Sequence, residues 1–263
     1  MAPPSERATT IAARLEGAVA LDLAVVETYG VTKGILELTL EGDLAGFSPW
    51  PGQDLMVSVP RSDDTARWRR YTVRRIDPTS STIDLWVTTD TDGPGATWAS
   101  NAEVGDHVEA VGPRGKVTLD QGAATHLFVV DPSGVAAMCA MAEGVVEPAL
   151  VATFALMPPV PGIELSTAIA PLCAEGVPLL PHVFMDDRMP MILSALNLTV
   201  THLEEKPIAA YVFGELALTR EIVADLADQG IDPARIASKP YWRKDRANES
   251  NGEPMREEAA RSE

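Results

Sequence analysis

The sequence predicts two parts of different fold class, a six-stranded antiparallel Greek-key barrel followed by an α/β domain with a parallel sheet. Two observations indicate this division. As far as about residue 119 the chain consists of short extended segments separated by Gly, Pro and Asp, whereas after residue 122 apolar runs alternate with helical segments. We therefore predict a barrel domain over residues 1–122, an α/β domain over 123–245 and a flexible tail over 246–263. A chain of 263 residues is long enough for two hydrophobic cores.

The barrel is predicted from six segments with the length and composition of β-strands. They cover residues 19–28, 35–40, 54–59, 71–76, 83–88 and 106–111. Turn residues separate the segments, and no long helical pattern interrupts them. The pattern therefore favours a barrel over a helical domain.

The second part alternates strands with helices. Strands are expected at 126–131, 149–156, 179–185, 207–214 and 236–242, and helices at 133–145, 164–175, 189–198 and 216–229. The strands are apolar without polar alternation, which indicates a sheet covered on both faces. Such coverage is typical of parallel sheets built from successive strand and helix units.

The charge balance restricts the partners of the protein. The chain has 38 acidic and 21 basic side chains, and this formal charge of −17 would repel nucleic acid phosphates. No apolar run reaches the ~20 residues of a membrane span.

Arg14, Glu16 and Asp22 interrupt the N-terminal stretch where a secretion signal needs apolar residues. We therefore expect a cytoplasmic protein with no nucleic acid or membrane partner, in which a local basic cluster holds any anionic ligand.

Metal chemistry has no support in the sequence. The two cysteines, Cys139 and Cys173, lie in apolar surroundings without the spacing of a metal site, and the four histidines are scattered. We therefore predict no metal site.

The most basic strand of this acidic chain reads RRYTVRRID, residues 69–77. Strand alternation predicts Arg69 and Tyr71 on one face and Arg70 and Thr72 on the other. The remaining arginines of the segment have no assigned role, and some of them are expected to be surface charge.

The segment TTDTDGPGATWA, residues 88–99, adds a Gly-Pro-Gly turn and a predicted helix start at Ala96, which would present backbone N–H groups to a phosphate.

Three strings in sequence order resemble the siderophore-interacting protein family, FAD-dependent ferric-siderophore reductases of the ferredoxin-reductase-like superfamily. They are residues 69–77, residues 88–99 and GDHVEAVGPRG at 105–115. The likeness extends to the C-terminal half through GE at 214–215 with Arg220, and through KPYWRKDR at 239–246. The resemblance implies an FAD-binding barrel and an α/β domain of the NAD(P)-binding type.

The resemblance also implies roles for individual residues. Those it assigns to the FAD cofactor are Arg69, Tyr71, Thr72, Val73, Thr89, Gly93, Ala96, Thr97, Trp98, Ser133, Tyr241 and Trp242. Those assigned to an anionic substrate, a ferric siderophore or a similar small molecule, are Arg114, Arg243, Lys244 and Arg246. No catalytic acid or base is predicted, because the cofactor performs the redox chemistry.

Two departures from the family pattern bear on function. Thr89 stands where the family commonly has His. The segment VDPSGVAAM, residues 130–138, keeps Asp131 of the family's nicotinamide-binding turn but has Pro132 in place of an acidic residue and Ala136 in place of Pro. We therefore expect NAD(P)H to bind weakly or not at all, with ferredoxin as an alternative electron donor.

The leading hypothesis is an FAD-dependent oxidoreductase that reduces a ferric siderophore and releases Fe(II). Two alternatives remain open. One is a paralogue that uses the same scaffold for a different reaction, biosynthetic and even non-redox, and the other is a non-catalytic ferric-chelate binder. The fold alone does not decide among them.

Overall fold

A computed structural model of the chain describes residues 3–60, 66–146, 149–156, 179–184, 189–203 and 207–244. Six antiparallel strands form a closed barrel: β1 (Val19–Thr32), β2 (Ile35–Gly42), β3 (Asp54–Pro60), β4 (Ala66–Asp77), β5 (Thr82–Thr88) and β6 (His107–Arg114). Their order around the barrel is β1-β2-β5-β4-β3-β6. The predicted antiparallel barrel is therefore confirmed, and several of its strands run further than predicted.

Two helices accompany the barrel. The α1 helix (Glu6–Ala12), which the sequence analysis did not predict, is capped by the Ser5 hydroxyl and packs Ile11 against barrel residues. The α2 helix (Pro94–Asn101) begins two residues before the predicted start at Ala96. Pro94 takes the first helical position, where its fixed φ suits the helix and its missing N–H removes no helical hydrogen bond.

The C-terminal part is a five-stranded parallel sheet with helices. Its strands are β7 (Thr125–Val130), β8 (Leu150–Leu156), β9 (Leu179–Phe184), β10 (Ile208–Glu215) and β11 (Ile236–Trp242), in the order β11-β10-β7-β8-β9. The helices α3 (Val135–Ala142), α4 (Met189–His202) and α5 (Leu216–Asp228) lie near their predicted positions. The predicted helix at 164–175 and the tail at 246–263 lie outside the described residues. The α/β class is confirmed.

Burial follows the two sequence patterns. Inward residues of β5 alternate with half-buried ones, as expected for a barrel wall with one face on the core. Every residue of β7 is buried, because this strand is central to the sheet and covered on both faces. No helix in the described part of the chain has the length and hydrophobicity needed to cross a membrane.

An ion pair joins the barrel to the α/β part. Arg74 of β4 is 3% exposed and donates two hydrogen bonds, of 2.9 and 2.6 Å, to the Glu143 carboxylate at the end of α3. Its guanidinium carbon lies 4.8 Å from the centroid of the Trp86 ring. The indole N–H of Trp86 in turn donates to Glu37, at 2.6 Å. Arg75, the next residue, is exposed, so only one of these two neighbouring arginines is surface charge.

Replacing Glu143 by Gln is expected to lower the free energy of unfolding by about 2 kcal/mol, because the Arg74 guanidinium would stay buried without its anion. Urea unfolding monitored by circular dichroism measures this loss. The matched control is Glu221→Gln on the exposed face of α5, expected to change stability by less than about 0.5 kcal/mol. Equal effects of the two changes would contradict a stabilising role for the Arg74–Glu143 pair.

Candidate functional site

A cavity of about 420 Å³ lies where the barrel meets the sheet, and we call it the interdomain cavity. Its walls come from residues 69–72 of β4, residues 86–88 of β5, the first turn of α2, residues 131–133 after β7, and Lys239, Tyr241 and Trp242 of β11. The volume is within the range of about 300–1,000 Å³ that is usual for small-molecule sites. Ligands of parallel sheets bind beyond the carboxyl ends of the strands, where residues 131–133 lie.

The cavity opens because β4 and β5 separate from each other. Their pairing register begins at Val73 opposite Leu85 and is interrupted by a bulge between Val73 and Arg75. Residues 69–72 and 86–88 lie beyond this paired region and line the cavity. Four consecutive residues of β4 therefore line the same space. The predicted alternation agrees with the side-chain contacts, since Arg70 and Thr72 contact Asp54 and Tyr241. Tyr71, between them, packs against Trp98 and Gly95 instead.

Tyr71 forms an aromatic wall of the interdomain cavity. Its ring centroid lies 5.7 Å from that of Trp98, with the ring planes tilted by 37°. The phenol oxygen packs against Gly95 so closely that a Cβ on Gly95 would lie 2.2 Å from it. Burial raises the pKa of the Tyr71 phenol, although the nearby Arg69 guanidinium acts to lower it. Tyr71 therefore remains neutral and presents a flat ring to the cavity.

A second tyrosine faces the cavity from β11. The Tyr241 hydroxyl lies 3.2 Å from the Thr72 hydroxyl, which connects the end of the sheet to the barrel. The Tyr241 ring stacks on Phe213, with centroids 5.8 Å apart, and the Lys239 ammonium lies 5.3 Å from its centroid. Burial raises the pKa of Tyr241. The two hydroxyl groups thus lie together at the wall of the cavity.

A cluster of charged residues that the sequence did not predict lies beside these tyrosines. Asp54 is 1% exposed and accepts two hydrogen bonds from Arg70, of 3.0 and 2.6 Å, and another from Lys239. Burial lowers the pKa of Lys239, and the Asp54 carboxylate acts in the opposite direction. All three residues line the interdomain cavity. Asp54 and Lys239 are 185 positions apart, so sequence spacing offered no signal for this cluster.

Asp131, the residue directly after β7, organises the ends of three parallel strands. Its carboxylate accepts hydrogen bonds from the Ser133 amide and hydroxyl, from the Glu215 amide at 2.8 Å and from the Trp242 indole at 2.7 Å. Burial raises the pKa of Asp131, while the hydrogen bonds act to lower it. Gly214, at φ +151°, permits this approach, since a Cβ there would lie 2.6 Å from the carboxylate. The position of Asp131 directly after an apolar strand was a usable sequence signal.

The structure brings most of the predicted cofactor residues together. Those that line the interdomain cavity are Arg69, Tyr71, Thr72, Gly93, Ala96, Ser133, Tyr241 and Trp242. The others lie around it: Val73 is in the barrel core, Trp98 is beside Tyr71, Thr97 donates to the Gly93 carbonyl, and the Thr89 amide donates to the Gly34 carbonyl. The assignment of these residues to a cofactor remains a prediction.

The predicted substrate residues do not form a single cluster. Arg114 contacts the sulfur of Met56, in the barrel wall. Arg243 and Lys244 are exposed after the end of β11, and the Lys244 amide donates to Glu215 at 3.1 Å. Arg246 lies outside the described residues. In the described part of the chain no three His, Cys, Asp or Glu side chains are grouped to hold a metal.

Comparison with known proteins agrees with this geometry. Residues 40–117 match the family model of the siderophore-interacting FAD-binding domain, which confirms FAD as the predicted cofactor. The chain is 31% identical over 134 residues to the ferric vibriobactin reductase ViuB of Vibrio cholerae. That alignment covers 43% of this chain and 49% of ViuB, so the matched part spans about half the length of this relative.

Two solved structures share the fold across both parts of the chain. A siderophore utilization protein from T. fusca superposes with a TM-score of 0.71 at 20% identity, covering 90% of this chain and 97% of that one. The siderophore-interacting protein from Acinetobacter baumannii superposes with a TM-score of 0.73 at 18% identity, covering 88% of this chain and 93% of that one. The sequence resemblance is therefore confirmed: residues 40–117 match the siderophore-interacting FAD-binding domain, and the chain shares the two-part fold of siderophore-interacting proteins.

Proposed function

We propose that this protein is an FAD-dependent oxidoreductase that reduces a ferric siderophore and so releases Fe(II). One observation carries the proposal. Residues from three separate segments that resemble the family lie together in one cavity. Arg69, Tyr71 and Thr72 of β4, Gly93 and Ala96 of the α2 turn, and 241–242 of β11 all line the interdomain cavity. The likeness to a ferric vibriobactin reductase supports the same reaction class.

The walls of the interdomain cavity fit FAD. Tyr71 offers an aromatic face to a flavin ring, and the paired hydroxyls of Thr72 and Tyr241 offer hydrogen-bonding groups. The N-terminal turn of α2 lines the same space, where backbone N–H groups and the helix dipole favour phosphate. Arg69 adds a cation suited to a diphosphate. Gly95 provides the space that lets the Tyr71 ring lie against this turn.

The redox chemistry belongs to the cofactor. When bound, FAD would supply the redox chemistry, in which two electrons from a reduced donor convert two ferric chelates to the ferrous state. The protein binds and orients the cofactor and the chelate, and its arginine and lysine side chains attract the anion. Iron in the ferrous state is held less tightly by oxygen ligands and is released.

The turn after β7 supports weak nicotinamide binding. Pro132 has no backbone N–H to offer a phosphate. The amide and hydroxyl of Ser133 both donate to Asp131, and the Gly134 amide donates to the Asp131 carbonyl. The donors of this turn are thus engaged within the protein. We therefore propose ferredoxin, the alternative donor named from the sequence, as an electron donor. We also propose the cytoplasmic location that the sequence predicts.

Replacing Gly95 by Ala is expected to weaken FAD binding by about tenfold, which corresponds to ~1.4 kcal/mol. A Cβ at this position would lie 2.2 Å from the Tyr71 hydroxyl oxygen and 3.4 Å from its ring carbon Cζ, so the ring must shift. Titration of the apoprotein with FAD, followed by quenching of flavin fluorescence, gives the dissociation constants.

Two further variants test whether Tyr71 is the cause. Gly30→Ala is the matched control, because its added Cβ meets no atom within 4 Å and Gly30 lies outside the interdomain cavity, so FAD binding should be unchanged. Adding Tyr71→Phe to Gly95→Ala removes the clashing oxygen and should restore most of the affinity. If Gly95→Ala binds FAD like the wild type, or the Phe change does not restore binding, the proposed placement of Tyr71 is wrong.

The purified protein should be yellow, and its flavin absorbance should bleach anaerobically with a reduced ferredoxin system faster than with NADH or NADPH. Adding a ferric catecholate should then restore the absorbance and yield Fe(II), measured with a ferrous-specific chromogenic chelator. The expected yield is two ferrous ions for each reduced flavin.

The other outcomes identify the alternatives. A colourless protein that takes up no FAD would exclude flavin chemistry. A reducible flavoprotein that transfers no electrons to any ferric chelate would favour a paralogue with another reaction. A protein that binds the chelate but cannot be reduced by any donor would be a non-catalytic binder.

A further inference from the structure

A second cavity, of about 660 Å³, lies beside the interdomain cavity, and we call it the lateral cavity. It is bounded by residues 115–120, which connect β6 to β7, and by the first part of β11. Arg70 and Lys239 line both cavities. A ligand in the lateral cavity would therefore be separated from the interdomain cavity by little more than these two side chains and Asp54.

The lateral cavity is positively lined although the chain is acidic. The lining residues include four cations, Arg70, Lys116, Arg235 and Lys239, and one carboxylate, Asp120. Arg235 pairs with Asp120 at 3.2 Å, and Arg70 and Lys239 share the buried Asp54. Even with Asp54 counted, the four cations exceed the two carboxylates. In a chain of formal charge −17, this excess singles out the lateral cavity as an anion site.

The rest of the lining is mostly small and apolar. Val117, Ala209, Ala237 and Pro240 supply aliphatic surface between the charged groups. A purely inorganic anion would gain little from such surface, whereas an organic anion buries its carbon skeleton against it. The lining thus suits a ligand with an apolar body and several negative charges at its periphery.

We propose that the lateral cavity is the docking site of the anionic ferric chelate, a proposal that rests on the proposed reductase function. The chelate docks with its negative groups towards Lys116 and Arg235 at the rim and Lys239 at the inner wall. The proposed reductase reaction would supply one electron to each Fe(III) across the wall formed by Arg70 and Lys239, giving Fe(II). No bond forms between protein and chelate. The exposed residues Arg243 and Lys244 lie outside this docking site.

The test measures binding apart from redox chemistry by using gallium(III) tris-catecholate, a trianionic complex that is not reduced. Ser238 is an exposed residue of β11 that lines the lateral cavity but not the interdomain one. Ser238→Glu places a negative charge there without removing an existing ion pair, and Ser238→Gln is its matched neutral control. Calorimetric titration of the FAD-loaded protein should show binding weakened by at least about tenfold in the Glu variant and by less than about twofold in the Gln variant.

Two substitutions that each remove one positive charge complete the test. Lys116→Gln should weaken gallium complex binding, whereas Lys244→Gln should leave it unchanged, and flavin content should be unaffected in both variants. Raising the salt concentration should weaken the wild-type interaction, since exposed charges are screened. If Lys244→Gln weakens binding and Ser238→Glu does not, or if the wild type does not bind the complex, the lateral cavity is not the docking site. If the binding results are as expected but reduced protein forms no Fe(II), the docking site stands and the reductase function fails.

Discussion

The carboxylate of Asp54 ties the barrel to the parallel sheet, and both cavities depend on this tie. It is buried on β3 yet accepts hydrogen bonds from Arg70 of β4 and from Lys239 of β11. A buried carboxylate without cations would be strongly unfavourable, so the two cations are held beside it. This fixes the approach of β11 to the barrel. Two cations on one anion also leave a positive charge at the junction, which makes an otherwise acidic protein attractive to anions.

The fold class of each part could be predicted because the burial pattern repeats within each single strand. Residues Ile83, Leu85 and Val87 of β5 are buried in alternation, and β7 is buried throughout, so period and composition identify both. The α1 helix could not be found in this way. It has only seven residues and is held by packing against Met56 and Val111, which are distant in sequence.

The candidate site was predictable only in part. Arg69, Tyr71 and Thr72 could be identified because they lie in one recognisable string, and all three face the interdomain cavity. The Asp54–Lys239 contact joins positions far apart in the chain, so it required the fold. Strand alternation places the neighbours Arg74 and Arg75 on opposite faces of β4, but it does not indicate which face is buried. The burial of Arg74 could therefore be known only from the fold.

The separation of β4 from β5 has a consequence for the solution behaviour of the protein. Strand segments that lose their neighbour present an edge, and such edges can pair with strands of other molecules. Here the edge at residues 69–72 is closed by side chains, since Tyr71 packs on Gly95 of α2 and Thr72 meets Tyr241 of β11. The same contacts that shape a ligand site therefore also protect this stretch of β4 from pairing with a strand of a second chain.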